Sequence, residues 1–437
     1  MNLETLITSQ NPQWVSLNYQ KPEKEWFHRP HFEKVRDWLE KRPIVALTGL
    51  RRTGKSTILK QIQYLLEEKV EPNQIMYFSF EKSQVKFHPD VLRNILDWYV
   101  SFIQKKTLAT VDVHAYIFLD EIQYIPYWQD VVKTYYDQSV FLKFFLSGSS
   151  SLFVRSKSLE SLAGRIIEMV VPPLSFTEYC AIQSILQEKS LTRLFSLQPQ
   201  LVISYFEKYL SFGQFPEPVK DRFTPLQTEN YLSSIEEKII EQDIPKLFRI
   251  ERIDILRLIF EFVKTHTTGV FEYGNITNDL GTDLKTTRKY FDYLVRSFLV
   301  TLCRNRTKKS LKSARTAKKV YLTSANFSHD TSSAARVEDY VFNVLSQRWN
   351  TQFFRKGNFE VDFITRTPRS LLPIEVKYQE TIGRRDYKNI MKLARALSLS
   401  EVLLISKNTL ANESVEGVKV HTLPAPLLES YLADINV

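Results

Sequence analysis

Cysteine is nearly absent from this 437-residue chain. The two present, Cys180 and Cys303, offer no disulfide framework, and neither has a ligand-spaced neighbour of the kind a zinc site needs. Such sparing use points to a reducing interior. Long apolar runs are missing as well, and the opening MNLETLITSQNPQW lacks the basic-then-apolar order of a secretory signal, so a cytoplasmic protein without membrane attachment is expected. There is no repeat and no low-complexity tract. Glycine is scarce, at 11 residues, which makes any clustering of it informative.

What is there is the composition of a folded protein, 43% hydrophobic and 25% charged, in a chain long enough for about three or four domains. The net charge of +10 hints at a polyanionic partner, and its position matters more than its total. The densest basic run, from Arg304 to Lys319, contains no acidic residue. A solvated loop is the alternative to a binding segment there.

Two of the scarce glycines fall in LTGLRRTGKST, directly after the apolar run Pro43-Ile-Val-Ala-Leu47. The spacing Gly49-x4-Gly54-Lys55-Ser56 is that of a phosphate-binding loop between a buried strand and a helix. The glycines let backbone N–H groups turn inward around a phosphate; Lys55 supplies a point charge and Ser56 a hydroxyl for Mg2+. Arg52, Thr53 and Thr57 complete the candidate nucleotide-binding set, and the helix after Ser56 presents its N-terminus to the anion.

Strands are expected at Ile44–Thr48, Ile75–Phe80, Tyr116–Ile122 and Phe141–Ser147, alternating with helices that include Val91–Gln104, which implies a parallel sheet with ligand at its carboxyl end. The first thirty or so residues read as an irregular arm carrying Trp14 and Trp26. Tyr116-Ile-Phe-Leu-Asp120-Glu121 ends in two carboxylates, one suited to the Mg2+ shell and the other to the attacking water. Ser149, with Ser147 as the second choice, would position that water, a plain Ser-Gly turn being the alternative.

Taken in order, LTGLRRTGKST, IFLDEIQ, FLSGSSS, LAGR, PLSFTEY and FGQFPEP resemble the AAA+ ATPases of bacteria and archaea that carry a domain of unknown function behind the ATPase core. The resemblance spans nearly the whole chain. It implies that Arg165 is an arginine finger given to a neighbouring subunit, hence a homo-oligomeric ring such as a hexamer; a surface ion pair is the alternative for Arg165. It also implies a helical lid whose Pro216 lies at the nucleotide. The family's lid usually reads Gly-Gly-Phe-Pro, whereas Gln214 stands second here.

Further on, Val361-Asp362-Phe363-Ile364 and Pro373-Ile-Glu375-Val-Lys377 form a candidate hairpin. Alternation puts Glu375 and Lys377 on one face, the turn brings Asp362 beside them, and Glu338 on an upstream helix can add a third carboxylate. Close carboxylates repel unless a cation lies between them, so a second divalent cation is expected, with a structural salt bridge as the alternative. The order Glu, Asp, Glu-x-Lys resembles the PD-(D/E)XK restriction-endonuclease-like fold, although Val361 stands where the strict motif has proline.

Between lid and C-terminus, three helices and two strands flanking the basic run read as a winged helix. Its candidate DNA contacts are Lys285, Arg288, Lys289, Arg304, Arg306, Lys308, Lys309, Lys312 and Arg315. Ser324 to Ser333 reads as a polar linker. The expected architecture is therefore α/β: an N-terminal arm (1–30), a P-loop AAA+ parallel-sheet core (31–171), a helical lid (172–244), a winged helix (245–327) and a restriction-endonuclease-like α/β domain (328–437). The leading function is a Mg2+-dependent, ATP-hydrolysing oligomer that remodels or translocates on DNA, branched DNA included. An ATP-gated, metal-dependent nuclease and a signalling or scaffold ATPase that recruits protein partners are the alternatives.

Overall fold

The computed structural model describes residues 3–81, 88–149, 162–186, 190–248, 250–306, 318–329 and 332–435. The chain divides into two units, Met1–Pro172 with Arg296–Phe298, and Pro173–Val295 with Leu299–Val437.

The first unit is built on β1 (Ile44–Thr48), β2 (Ile75–Ser79), β3 (Ala115–Asp120), β4 (Leu142–Gly148) and β5 (Ile166–Val170), ordered β2-β3-β4-β1-β5. Every pairing is parallel. β1, β2 and β3 read as near-continuous apolar runs because helices cover both faces. Val45 and Leu47 pack with Ile58, Leu59 and Ile62 of the helix Lys55–Glu67. Ile44 and Ala46 face the opposite side, with Ile95, Tyr99 and Val132.

Three expectations for this unit need correction. β3 stops at Asp120 because Glu121 turns into the left-handed region (φ 55°) and a single 3-10 turn, Ile122–Tyr124, follows. The helix expected over 91–104 runs Pro89–Trp98 and finishes in a π turn, Tyr99–Ile103. The N-terminal stretch is not an irregular arm: the helix Leu3–Ser9 buries Ile7 completely, and the residues after it line the outer side of β2. There Asn11 exchanges hydrogen bonds with both Tyr77 N and Tyr77 O, Ser79 N donates to Gln10 Oε1, and Gln13 and Trp14 donate to Ile75 O. Side-chain amides take the place of a neighbouring strand. Composition alone does not reveal such pairing.

In the second unit, the helices Phe176–Ile182, Leu191–Leu197, Pro199–Phe212 and Pro225–Glu237 are followed by Ile253–Thr265, Tyr273–Asp279 and Leu284–Arg296. A small antiparallel sheet comes next, β6 (Val270–Phe271), β7 (Val300–Arg304) and β8 (Lys318–Leu322), ordered β6-β8-β7. The helix Ser333–Ser346 leads into a mixed sheet of β9 (Thr351–Lys356), β10 (Phe359–Arg366), β11 (Leu371–Val376), β12 (Glu401–Ser406), β13 (Ala411–Val415) and β14 (Val418–Pro424), ordered β13-β14-β12-β11-β10-β9.

The stretch expected to form a separate lid shares one core with these C-terminal strands. Phe206 meets Tyr340 edge-on at 5.0 Å, and the Glu429 carboxylate accepts from the N–H groups of Phe176 and Thr177. Gln214, the departure from the lid pattern, is buried and accepts from Ser324 Oγ, while its N–H donates to Asn326 Oδ1. The expected polar linker is thus partly packed: Ser324, Ala325 and Phe327 are buried, with Ala325–Phe327 forming a 3-10 turn.

Candidate functional site

In the first unit, the loop after β1 begins at Gly49 (φ 136°), where a side chain would collide with Val171 O at 2.3 Å, so only glycine fits. Gly54 (φ 94°) caps the helix Lys55–Glu67, turning the free N–H groups of its first turn toward the loop. Arg52 is left-handed and exposed; Thr53 is buried and donates to Leu50 O at 2.9 Å. Arg29, from the segment read as an arm, donates to Thr53 O at 2.6 Å and braces the loop from behind.

Lys55 is buried here together with Arg51, Asp120 and Glu121. Its Nζ donates to Gly49 O at 3.1 Å and Leu50 O at 2.7 Å, neutral acceptors that a phosphate oxygen can replace. Burial pulls its pKa below the usual lysine value, partly countered by the Glu121 and Asp120 carboxylates. Ser56 Oγ donates to Asp120 at 2.9 and 3.0 Å, which places the hydroxyl and carboxylate expected for Mg2+ side by side. Thr57 follows in the same helical turn. The donor set, one hydroxyl and one carboxylate beside a glycine cradle, fits Mg2+ with a nucleotide phosphate.

Sequence reading missed the groups that hold the carboxylates. Tyr77 OH donates to Asp120 Oδ2 at 2.9 Å, and its own pKa is pushed well above the usual range by burial and by Asp120. Ser147, the second choice for the water, instead donates to Asp120 Oδ1 and accepts from Glu121 N at 3.0 Å. Gln123 Nε2 spans Glu121 Oε2 (2.5 Å) and Ser149 Oγ (3.0 Å), joining the candidate base to the candidate positioning hydroxyl. Burial raises the Glu121 pKa, with Lys55 working against the rise. Gln123 was visible in IFLDEIQ; its role depends on the left-handed turn at Glu121.

Arg165 lies elsewhere. It precedes β5, which pairs in parallel with β1 from Ile44↔Ile166 to Thr48↔Val170, so it sits at the end of the sheet opposite the loop. One five-residue strand separates them, about 17 Å. Arg165 forms a two-pronged ion pair with Asp137, at 2.8 and 3.3 Å, and cannot reach its own chain's phosphate loop. Pro216 belongs to the second unit, where it opens the helix Pro216–Lys220.

The second unit brings the C-terminal carboxylates together, around a lysine rather than as an open cluster. Lys319 Nζ lies 3.0 Å from Glu338 Oε1, 2.9 Å from Glu360 Oε1 and 3.6 Å from Asp362 Oδ1. Tyr321 OH also donates to Glu338, at 2.8 Å. β10 and β9 slip register between Val361 and Ile364, and this bulge aims Asp362 so that Oδ2 accepts from Val376 N at 2.9 Å. Lys377 pairs with Glu375 at 2.8 Å, while Glu375 Oε2 is buried without a hydrogen bond. Burial and the Asp362 charge push both Glu338 and Glu375 up to about 7. Burial disfavours the Lys319 charge, but Glu338, Asp362 and Glu360 outweigh it and hold its pKa above the usual value. Among the described residues, no group of three or more His, Cys, Asp or Glu side chains is placed to hold a metal ion. The expected second divalent cation finds no support in this arrangement, where the positive charge facing the carboxylates is the Lys319 ammonium.

Of the candidate DNA contacts, Arg288 lies over the Tyr273 ring at 5.6 Å and Arg304 pairs across the ladder with Lys318, a lysine outside the expected set that lies over the same ring at 4.9 Å. Lys285 and Lys289 are exposed on the same helix as Arg288, and Arg306 donates to Gln352 at 3.4 Å. Lys308, Lys309, Lys312 and Arg315 lie outside the described residues. Among the described residues, no helix is long and apolar enough to cross a membrane.

Comparison with known proteins agrees with the first unit's geometry. Residues 41–180 match the family model described as "AAA domain", and residues 203–326 and 335–428 match two domains of unknown function, DUF8612 and DUF4143. The DUF4143 match carries no indication of a restriction-endonuclease-like fold. The chain is 24% identical over 390 residues to an uncharacterized protein of Haemophilus influenzae, covering 86% of this chain and 92% of that one. It is 25% identical over 385 residues to an uncharacterized protein of Methanocaldococcus jannaschii, covering 83% and 81%. Among solved structures, a Walker-type ATPase of Pyrococcus abyssi is similar with a TM-score of 0.45 at 15% identity, covering 71% of this chain and 97% of that one. By the family match, residues 41–180 carry an AAA-type P-loop ATPase domain, with ATP hydrolysis as its general reaction and nucleotide and Mg2+ as its general requirements.

Proposed function

We propose that this protein is a Mg2+-dependent ATPase that acts on DNA as a homo-oligomer, with its second unit in contact with the nucleic acid. In the first unit, Lys55 exchanges its backbone carbonyls for phosphate, and Ser56 and Asp120 hold Mg2+, which supplies charge neutralisation at the phosphates. Tyr77 and Ser147 fix Asp120, Glu121 takes the proton of the attacking water, and Gln123 keeps Ser149 in line with it. Arg165 acts on a neighbouring subunit, leaving Asp137 to do so.

The observation that carries the DNA reading is the crowding of Arg288 and Lys318 over Tyr273, with Arg304 opposite Lys318 in the ladder. The Lys318 pKa is lowered by burial and then by the charges of Arg288 and Arg304, with Glu272 opposing. Like charges held this close cost energy that a polyanion relieves. In this reading the helices Ile253–Thr265, Tyr273–Asp279 and Leu284–Arg296 with β6–β8 are a winged helix. Phosphate contact of this kind carries little sequence preference.

The test is ATP turnover and DNA affinity across a salt series, for the unmutated chain and for Arg288→Ala/Arg304→Ala. The expected result is DNA-stimulated turnover, with the salt slope of log affinity reduced by about 0.9 for each phosphate contact removed. Turnover indifferent to duplex, single-stranded and branched DNA would overturn the reading in favour of an ATP switch for protein partners. Mixing Lys55→Ala with Arg165→Ala chains tests the shared site: activity should return only if one subunit serves another.

A further inference from the structure

We infer that Lys319 is the resident cation of the carboxylate cluster in the second unit, a built-in ammonium that holds the place of a divalent metal. The inference stands apart from the DNA-contact reading, since it concerns what this cluster can bind with neither DNA nor nucleotide present.

Divalent cations need several oxygens converging at about 2.0–2.6 Å with lone pairs free. Here the oxygens of Glu338, Glu360 and Asp362 that converge on one point already face an ammonium or an N–H or O–H donor. Glu338 Oε1 accepts from both Lys319 and Tyr321, and Glu360 Oε1 faces Lys319. Asp362 turns Oδ1 toward Lys319 and has Oδ2 occupied by Val376 N–H. An ammonium carries three donors, and three carboxylates surround this one. Glu375, the remaining carboxylate of the hairpin, is matched by Lys377 at Oε1, and its Oε2 is the one oxygen there buried without a hydrogen bond, too few for a divalent ion by itself.

The ammonium is also fixed from behind. Lys319 sits on β8, the middle strand of its sheet, with Val270 on one side and Cys303 on the other. It is 3% exposed. The ladder fixes where its side chain starts, burial among three carboxylates disfavours its leaving, and its charge repels any metal approaching Asp362. The same contacts tie β8 to the helix Ser333–Ser346 and to β10, so the cluster acts as an electrostatic clasp between two sheets of one unit. On this inference the cluster is a structural clasp and not a centre for metal-activated cleavage of DNA, while nucleic-acid contact elsewhere on the unit is unaffected.

Mn2+ titration of the full chain without nucleotide, read by electron paramagnetic resonance of the free ion, tests this for the unmutated protein, Asp362→Asn, Lys319→Met and Lys319→Met/Asp362→Asn. The expected result is equal Mn2+ uptake by the unmutated and Asp362→Asn chains, at least tenfold tighter uptake of one ion by Lys319→Met, and loss of that gain in the double variant. Uptake by the unmutated chain that Asp362→Asn removes would overturn the inference, as would a folded Lys319→Met that gains no ion. Should Lys319→Met fail to fold, the unmutated and Asp362→Asn pair decides by itself, because any ion at Ser56 and Asp120 is common to both.

Discussion

Lys55 and Lys319 are both buried lysines among carboxylates, and their surroundings give them opposite properties. Lys55 donates to two backbone carbonyls, and burial lowers its pKa. Lys319 is surrounded by three carboxylates that raise its pKa. The first is a charge with replaceable partners, ready for an incoming anion. The second is already neutralised and serves structure. A lysine near acids is thus not informative by itself; what its nitrogen donates to decides whether the site can take a ligand.

The largest effect is expected at Lys55. Replacing it with alanine should lower ATP turnover by roughly 10²–10³-fold or more, with little change in melting temperature, since its present bonds are to neutral acceptors. Measured turnover near that of the parent would remove Lys55 from the site. At Lys319 the loss falls on stability: Lys319→Met leaves carboxylates buried without their cation, which costs about 3–5 kcal/mol. Denaturant unfolding checks this, and a loss below about 1 kcal/mol would show that the clasp does not hold the fold.

A smaller effect sharpens the same contrast through pH. Glu338 and Glu375 have folded-state pKa values of about 7, raised from 4.5, so the folded state binds their protons more tightly than the unfolded chain does. Their contribution to stability is complete below the ordinary carboxyl value and is lost as pH rises through 7. Asp362→Asn removes a charge that raises both, so the fall in melting temperature between pH 5 and pH 7.5 should be shallower in that variant. An unchanged slope would disconnect Asp362 from the pair. Smallest of all is Tyr77→Phe, which deletes one hydrogen bond to Asp120. About 1 kcal/mol, or a few-fold in turnover, is expected from kinetics at saturating Mg2+.

How much of this could be read from residues alone follows the range of the interactions involved. The phosphate loop was legible because its chemistry is local: Gly49, Gly54, Lys55 and Ser56 lie within one turn and its helix. Asp120 and Glu121 were legible as the end of an apolar strand. Tyr77 and Ser147 were not, since each reaches Asp120 only after β2, β3 and β4 have paired. Lys318 and Lys319 show the limit most clearly. In the sequence they close one basic run, yet strand alternation sends Lys318 to the Tyr273 ring and Lys319 into the carboxylates. The N-terminal stretch was misread because Gln10, Asn11 and Gln13 look like the composition of a loop, and amides pairing with a strand leave no periodic signal.

That last feature bears on how the protein survives in solution. β2 ends the order of its sheet, and its outward N–H and C=O groups would otherwise template the addition of a strand from a second molecule. Gln10, Asn11, Gln13 and Trp14 occupy those groups at Ile75, Tyr77 and Ser79 with side chains, which satisfy the edge without extending it. Unlike a true strand, such a cover presents no new ladder for the next chain, so it ends the sheet outright. A chain trimmed past Trp14 would bare those groups and lose its protection from aggregation.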